Sequence, residues 1–385
     1  MPKVVHVSVV NPRPLSDPRV FLKECVSLRS AGYEVVLVCP AEQDCTREGV
    51  RIRALPQPAG RLSRMLVTTR QAYHACVDEN ADLYHFHNPE MMPWMARLAS
   101  AGRRVIYDMH ENVVKDILTK HWIHPWLRAV VSRAVNVGMR GWLRRMAVVF
   151  AEDSYAGDYP WIHNGVVVRN LPRLEHLLSI DPEPSAVPVV GYLGGVTPER
   201  GTMTILAALH ILQKRGVSVG FECVGSAESK FQAELDAFVA AHGLEGVRFH
   251  GYLPPLDCYW IMARCQVGIA VIADIPNFRD SYPTKMFEYM ALGLPVVVSD
   301  FPLYRQVVED GRCGVCIPPG HPSELAAAIY DLVTDPQAAQ DMGKRGRECV
   351  IERYSWRTEE EKLLGLYSVL LAGASPRLTE LPTTR

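Results

Sequence analysis

With 385 residues the chain exceeds one ordinary core and suits two domains of about 150–200 residues each. Its 48% hydrophobic and 22% charged residues describe a soluble globular protein, and no apolar run reaches the roughly 18 residues that a membrane span needs. A formal net charge of −1 supplies no global field for nucleic acid, so no nucleic-acid partner is expected.

The chain opens on the buried-strand pattern "KVVHVSVV", with no signal-peptide layout, which predicts a cytoplasmic protein. The ten cysteines, scattered through apolar segments, then read as reduced core residues. "VFLKECVSLRSAG" is a helical segment ending in Gly32, as a C-terminal cap should. Strands follow at "EVVLVC", "ADLYHFH" and "RRVIYDMH". Their hydrophobicity is continuous rather than alternating, so both sheet faces are covered and the domain is doubly wound α/β.

Between Lys120 and Arg145 the stretch "KHWIHPWLRAVVSRAVNVGMRGWLRR" carries Lys120, Arg128, Arg133, Arg140, Arg144 and Arg145 with no acid, interleaved with Trp122, Trp126 and Trp142. Such a helix suits an anionic bilayer surface, and it equally suits a helix packed on its own domain with solvated arginines. From Val166 to Pro188 prolines cluster and periodicity is lost, as in a linker. A second strand series follows: "VPVVGYLG", "VGFECVG", "VRFHGYL", "CQVGIAVI", "LPVVVSD" and "CGVCIPP". The fold class is therefore α/β, with two doubly wound Rossmann-like domains, 1–170 and 171–354, facing across a cleft. A helix at 355–372 is expected to pack back toward the first domain, and 373–385 is expected to be a disordered tail.

Ligands of open α/β sheets bind beyond the carboxyl ends of the strands. Three such places hold unusual residues. In "RDSYPTKMFEYMALG" a helix starts around Pro283 and ends at Gly293, with Lys285 in its first turn. A lysine at an electropositive helix start makes sense beside an anion, with the amides of Thr284 and Lys285 cradling phosphate. Glu288 lies one turn on, placed to accept hydrogen bonds from ribose hydroxyls; a plain Lys285–Glu288 surface pair has the same spacing. In "VVGYLGGVTPERGTMTIL" a strand ends in Gly194 and Gly195, and Arg200 stands at the start of the next helix, near Thr202. No GxGxxG follows the first strand, which argues against a dinucleotide dehydrogenase. In the first domain, His85, His87 and Glu90 end one strand, and Asp108, His110 and Glu111 end the next. Neither these nor the Cys313–Cys316 pair has metal-ligand spacing, so no metal is expected. Groups that position a sugar or an acceptor hydroxyl are the reading there, while His85, and also His110, can instead be core residues filling their strand ends.

These motifs together resemble the retaining, nucleotide-sugar-dependent glycosyltransferases of family 4, with the GT-B fold. The resemblance runs from "HVSVV" to the helix near Leu371 and is most specific in "SYPTKMFEYMALGLPVVVSDFPLYRQVVEDGRCGVCIPPGHPSELAAAI". It implies that Glu288 binds the ribose and that Asp280, separated from it by seven residues, stands near the donor sugar where relatives often have glutamate. It also implies that Thr284 and Lys285 hold the donor phosphates. Arg200 takes the lysine position of the glycine-rich turn and Gly195 the arginine position. Backbone at His250 and Tyr252 is placed against the nucleobase, and His110 near the donor sugar. Asp17 and Arg19 replace the paired glycines of relatives, and with His87, Glu90 and Glu111 they are the acceptor-side candidates. The implied reaction moves a sugar from a nucleoside diphosphate, UDP by default, to a carbohydrate or lipid-linked acceptor, with no cofactor and no metal. Two other readings remain: a two-domain nucleotide-sugar epimerase, and a nucleotide-sugar-binding protein without activity.

Overall fold

A computed structural model describes residues 1–10, 15, 17–119, 123–181, 183 and 185–373. It divides the chain into unit 1, Met1–Asn170 with Trp356–Arg385, and unit 2, Leu171–Ser355. Lys120 and Trp122 of the basic stretch, and the tail beyond Gly373, lie outside the described residues.

Unit 1 is built on an eight-stranded sheet. Its strands are β1 (Lys3–Val7), β2 (Glu34–Pro40), β3 (Cys45–Arg47), β4 (Val50–Leu55), β5 (Leu83–Phe86), β6 (Arg104–Met109), β7 (Ala147–Phe150) and β8 (Gly165–Val167). Their order is β3-β4-β2-β1-β5-β6-β7-β8, parallel except for the β3–β4 pair. Apolar residues on both faces bury fully: Val4, Val5 and Val7 of β1 and Val36 to Val38 of β2 are inaccessible to water. That is what continuous hydrophobic runs buy in a sheet covered on both sides. Two corrections follow. The segment read as a linker from Val166 begins inside β8, and strand β3 of the β3–β4 hairpin carries no apolar signal because Cys45–Arg47 is exposed. The helix Trp356–Leu371 belongs to unit 1, where Trp356, Leu363, Leu366 and Tyr367 join the core formed by Val4, Phe21 and Leu37.

Unit 2 has a six-stranded, all-parallel sheet of β9 (Val189–Leu193), β10 (Gly220–Val224), β11 (Val247–Gly251), β12 (Val267–Ala270), β13 (Val296–Ser299) and β14 (Gly314–Ile317), in the order β11-β10-β9-β12-β13-β14. Both sheets reverse direction of growth once, between β1 and β5 in unit 1 and between β9 and β12 in unit 2. Crossovers leaving to opposite sides open a crevice at such a point, beyond the carboxyl ends of the two strands. The cysteines are all free, most of them buried, and Cys313 and Cys316 join no cluster of metal donors among the described residues.

Candidate functional site

In unit 2 the residues leaving β9 and β12 line a pocket of about 280 Å³. Leu193, Gly194 and Arg200 come from the β9 side, Ile272 and Phe278 from the β12 side, and Ser281 to Lys285 with Glu288 from the helix that follows. That helix is Thr284–Ala291, with Pro283 as its cap rather than within its first turn. Its first amides have no partner inside the helix and point toward whatever occupies the pocket.

The turn after β9 depends on missing side chains. Gly201 sits at φ +77°, and a Cβ there would lie 1.9 Å from the carbonyl oxygen of Val271. Only glycine lets the chain turn against β12 and present Arg200. Gly194 leaves open the space beside Lys285, where a Cβ would stand 3.2 Å from Nζ. A hydrogen bond from the Ala273 amide to the Glu199 carbonyl, 2.8 Å, ties the two loops together.

Lys285 is the unusual group. Its side chain is buried, Nζ makes no hydrogen bond, and the ammonium lies 3.9 Å from the centre of the Tyr192 ring. The surface-pair alternative for Lys285 and Glu288 therefore does not hold. Burial, and then the charge of Arg200, bring Lys285 down to about 7, with Glu288 pulling the other way. A lysine in this state costs the fold free energy until an anion arrives. Glu288 is oriented by the hydroxyl of Tyr259, which donates to Oε1 at 3.1 Å.

The pocket thus gathers Gly194, Arg200, Thr284, Lys285 and Glu288. Asp280 caps the short helix Pro276–Arg279, one residue before the lining Ser281. Gly195 lies outside the lining, and its carbonyl accepts the Tyr192 hydroxyl at 2.7 Å. His250 and Tyr252 are also outside it; His250 at the end of β11 pairs with Glu222, and Tyr252 is 54% exposed.

In unit 1 the predicted acceptor-side residues separate. Arg19 is buried, donating from Nε and Nη2 to the two oxygens of Asp108 at 3.1 and 3.0 Å. It is therefore a core ion pair rather than a group open to an acceptor. Asp17 caps the turn that follows it, accepting from the amides of Arg19 and Val20 at 2.9 and 2.7 Å. Glu90 accepts from Arg64 at 2.9 Å, and Glu111 is exposed. His87 is buried, its Nδ1 3.1 Å from Nε2 of the half-exposed His110, which is itself 3.2 Å from Asp108 Oδ2. His85 is fully buried and bonded to Tyr367 at 2.7 Å, which agrees with a core role. Sequence reasoning missed three partners of this cluster: His6, inside β1; Glu24, on the helical turn Val20–Cys25; and Tyr367, on the carboxy-terminal helix.

Comparison with known proteins agrees across both units. A family model described as "Glycosyl transferases group 1" matches residues 187–335, and one described as "Glycosyl transferase 4-like domain" matches residues 19–159. The chain is 25% identical over 367 residues to a phosphatidyl-myo-inositol mannosyltransferase of Mycobacterium leprae, covering 90% of this chain and 91% of the relative. It is 26% identical to an alpha-maltose-1-phosphate synthase of Mycolicibacterium smegmatis, covering 86% and 91%. Among solved structures, a sucrose-phosphate synthase of Thermosynechococcus elongatus aligns with a TM-score of 0.75 at 17% identity, over 97% of this chain and 100% of that one. Anabaena HepE in complex with UDP-glucose aligns at 0.70 with 18% identity, over 96% and 100%. At these identities the two structures speak for the fold.

Proposed function

Because this chain belongs to the family 4 glycosyltransferases with the GT-B fold, we propose that it transfers a sugar from a nucleoside diphosphate, with UDP favoured, to an acceptor hydroxyl with retention at the anomeric carbon. The observation that carries this reading is the buried, unpartnered ammonium of Lys285 beside Arg200 at the start of a helix, with Glu288 one turn on. A diphosphate supplies the missing counter-charge, and the adjoining ribose supplies hydroxyl donors for the Glu288 carboxylate.

As the glycosidic bond stretches, negative charge gathers on the leaving phosphate oxygen. Arg200, Lys285 and the Thr284 and Lys285 amides stabilise it in place, without a metal at the phosphates. The acceptor hydroxyl attacks the anomeric carbon from the leaving-group face and passes its proton to the departing phosphate, so no protein base is needed. Asp280 is assigned to the hydroxyls of the transferred sugar, and backbone at His250 and Tyr252 to the nucleobase. In unit 1 the corresponding candidate is His110. With a panel of UDP-, GDP- and ADP-sugars, release of nucleoside diphosphate should depend on acceptor for one donor. Glu288→Ala and Arg200→Ala should each lower that rate at least about tenfold with unchanged circular dichroism. Near-normal rates in both variants overturn the assignment.

The acceptor is proposed to be lipid-linked. The helix Pro125–Trp142 turns Ser132 and Met139 inward and leaves Trp126, Val130 and Val137 exposed beside Arg133 and Arg140, with Arg144 and Arg145 just beyond. No helix among the described residues is long and apolar enough to cross a membrane, so any contact is at the surface. Each basic residue near an anionic bilayer contributes about 1 kcal/mol. Arg133→Glu with Arg144→Glu should therefore weaken co-sedimentation with phosphatidylglycerol vesicles by about tenfold or more. Equal binding to neutral phosphatidylcholine vesicles counts against it.

A further inference from the structure

The reversal point of unit 2 is an open pocket; that of unit 1 is filled with buried histidines and carboxylates. His6 of β1 and His85 of β5 face each other in register, and His87 follows one residue past β5. Glu24 reaches the same spot from the turn Val20–Cys25. His6 Nδ1 is 3.0 Å from His87 Nε2 and 3.8 Å from Glu24 Oε2, while His87 Nε2 is 3.7 Å from that oxygen and His85 Nδ1 is 4.0 Å from it. An ion held tetrahedrally by bonds of about 2.0–2.1 Å keeps its ligand atoms about 3.3–3.4 Å apart. The observed edges straddle that spacing.

Glu24 adds a buried, unsatisfied carboxyl group to this geometry. It is fully buried, and neither carboxylate oxygen has a hydrogen bond. Arg19 Nε stands 3.0 Å from Oε1, yet directs its N–H to Asp108. Arg19 is thus the counter-charge at Oε1, while Oε2, the oxygen nearest the three imidazoles, has no hydrogen bond of its own, a costly state for a buried carboxyl group.

We propose that His6 Nδ1, His87 Nε2 and the Glu24 carboxylate, with His85 Nδ1 as the fourth ligand, bind a divalent transition metal ion, zinc foremost, in a closed site within unit 1. Three imidazoles and one carboxylate are nitrogen and oxygen donors that zinc accepts, and four side-chain ligands fill a tetrahedral shell with no open position. Supporting groups stand behind the ligands: His6 Nε2 meets the Tyr367 hydroxyl at 2.9 Å, and His87 Nδ1 meets His110 Nε2 at 3.1 Å and Asp108 Oδ2 at 3.5 Å. Binding exchanges the bond between His85 and Tyr367 for coordination. It also places the His87 proton on Nδ1, facing His110 and Asp108, and so orients His110. The inference stands apart from sugar transfer and from the handling of the diphosphate in unit 2.

The test titrates chelator-treated full-length protein with zinc and with cobalt. Roughly one equivalent should bind saturably, raise the melting temperature, and give cobalt the visible absorption of a tetrahedral N/O site. Glu24→Gln keeps the volume and removes the charge, and should bind zinc at least about tenfold more weakly. A wild-type titration without saturable one-to-one binding overturns the proposal whether or not the variant folds, and so does a folded Glu24→Gln that binds zinc as tightly as wild type.

Discussion

Lys285→Met should lower kcat/KM for sugar transfer by on the order of 100-fold while leaving the fold at least as stable as before. Both halves follow from one fact: the Lys285 ammonium is buried with no hydrogen-bond partner. In the ligand-free protein the cation is a liability, offset in part by the Tyr192 ring 3.9 Å away. Methionine keeps the aliphatic volume, removes the uncompensated charge, and takes away a donor aimed at the leaving phosphate. A loss of activity together with an unchanged or raised melting temperature separates a role in chemistry from misfolding. A variant that turns over near the wild-type rate removes Lys285 from the site.

The same group sets a pH dependence with a definite sign. In the folded chain Lys285 gives up its proton around pH 7, against its ordinary value of 10.5, chiefly through burial and then through Arg200. Between those values the unfolded chain binds the extra proton, so ligand-free stability rises as pH climbs from about 7 toward 10.5. A bound diphosphate favours the ammonium form, so donor binding takes up a proton at higher pH. Calorimetry should show UDP binding weakened between about pH 6.5 and about pH 8.5, with that part of the change absent in Lys285→Met.

How much of this was legible in the sequence depended on range. Thr284, Lys285 and Glu288 sit within one turn of a helix, so their shared face follows from helical spacing, and Arg200 and Gly194 could be found because both follow strand ends. The burial of Lys285 could not, since the neighbours that its ammonium meets, the Tyr192 ring among them, lie on segments far away in sequence. In unit 1 the strand-end residues His87, Asp108 and His110 stood out for the same reason as those of unit 2. His6 did not, because it lies inside an apolar strand, and Glu24 did not, because it sits within a helical segment away from any strand end. The pairing of β1 with β5 sets His6 beside His85, and the turn Val20–Cys25 brings Glu24 to the same point; periodicity is silent on both. Strand β8 was lost in the proline-rich stretch because Gly165–Val167 is too short for a pattern to register.

Arg19→Met should destabilise unit 1 by about 3–5 kcal/mol, the scale of breaking one side of a buried ion pair. Arg19 donates to both oxygens of Asp108 and, through Nη1, to the Val168 carbonyl at 3.0 Å. Asp108 and Glu24 are both fully buried, and no lysine or other arginine forms an ion pair with either among the described residues. Burial alone pushes Asp108 up; Arg19 and then His110 outweigh it and hold the carboxyl well below its usual range. A depressed carboxyl contributes stability above its ordinary value near 3.8, and that contribution is lost as pH falls through the folded value. Without Arg19 the push from burial dominates, Asp108 prefers its proton, and the variant instead loses stability as pH rises toward neutral. Urea midpoints of chelator-treated protein should therefore differ more at about pH 7.5 than at about pH 5. Matching midpoints at both values would mean that the Asp108 charge does not rest on Arg19, because a carboxylate sealed from water with its only full cation removed has no other way to stay ionised without cost.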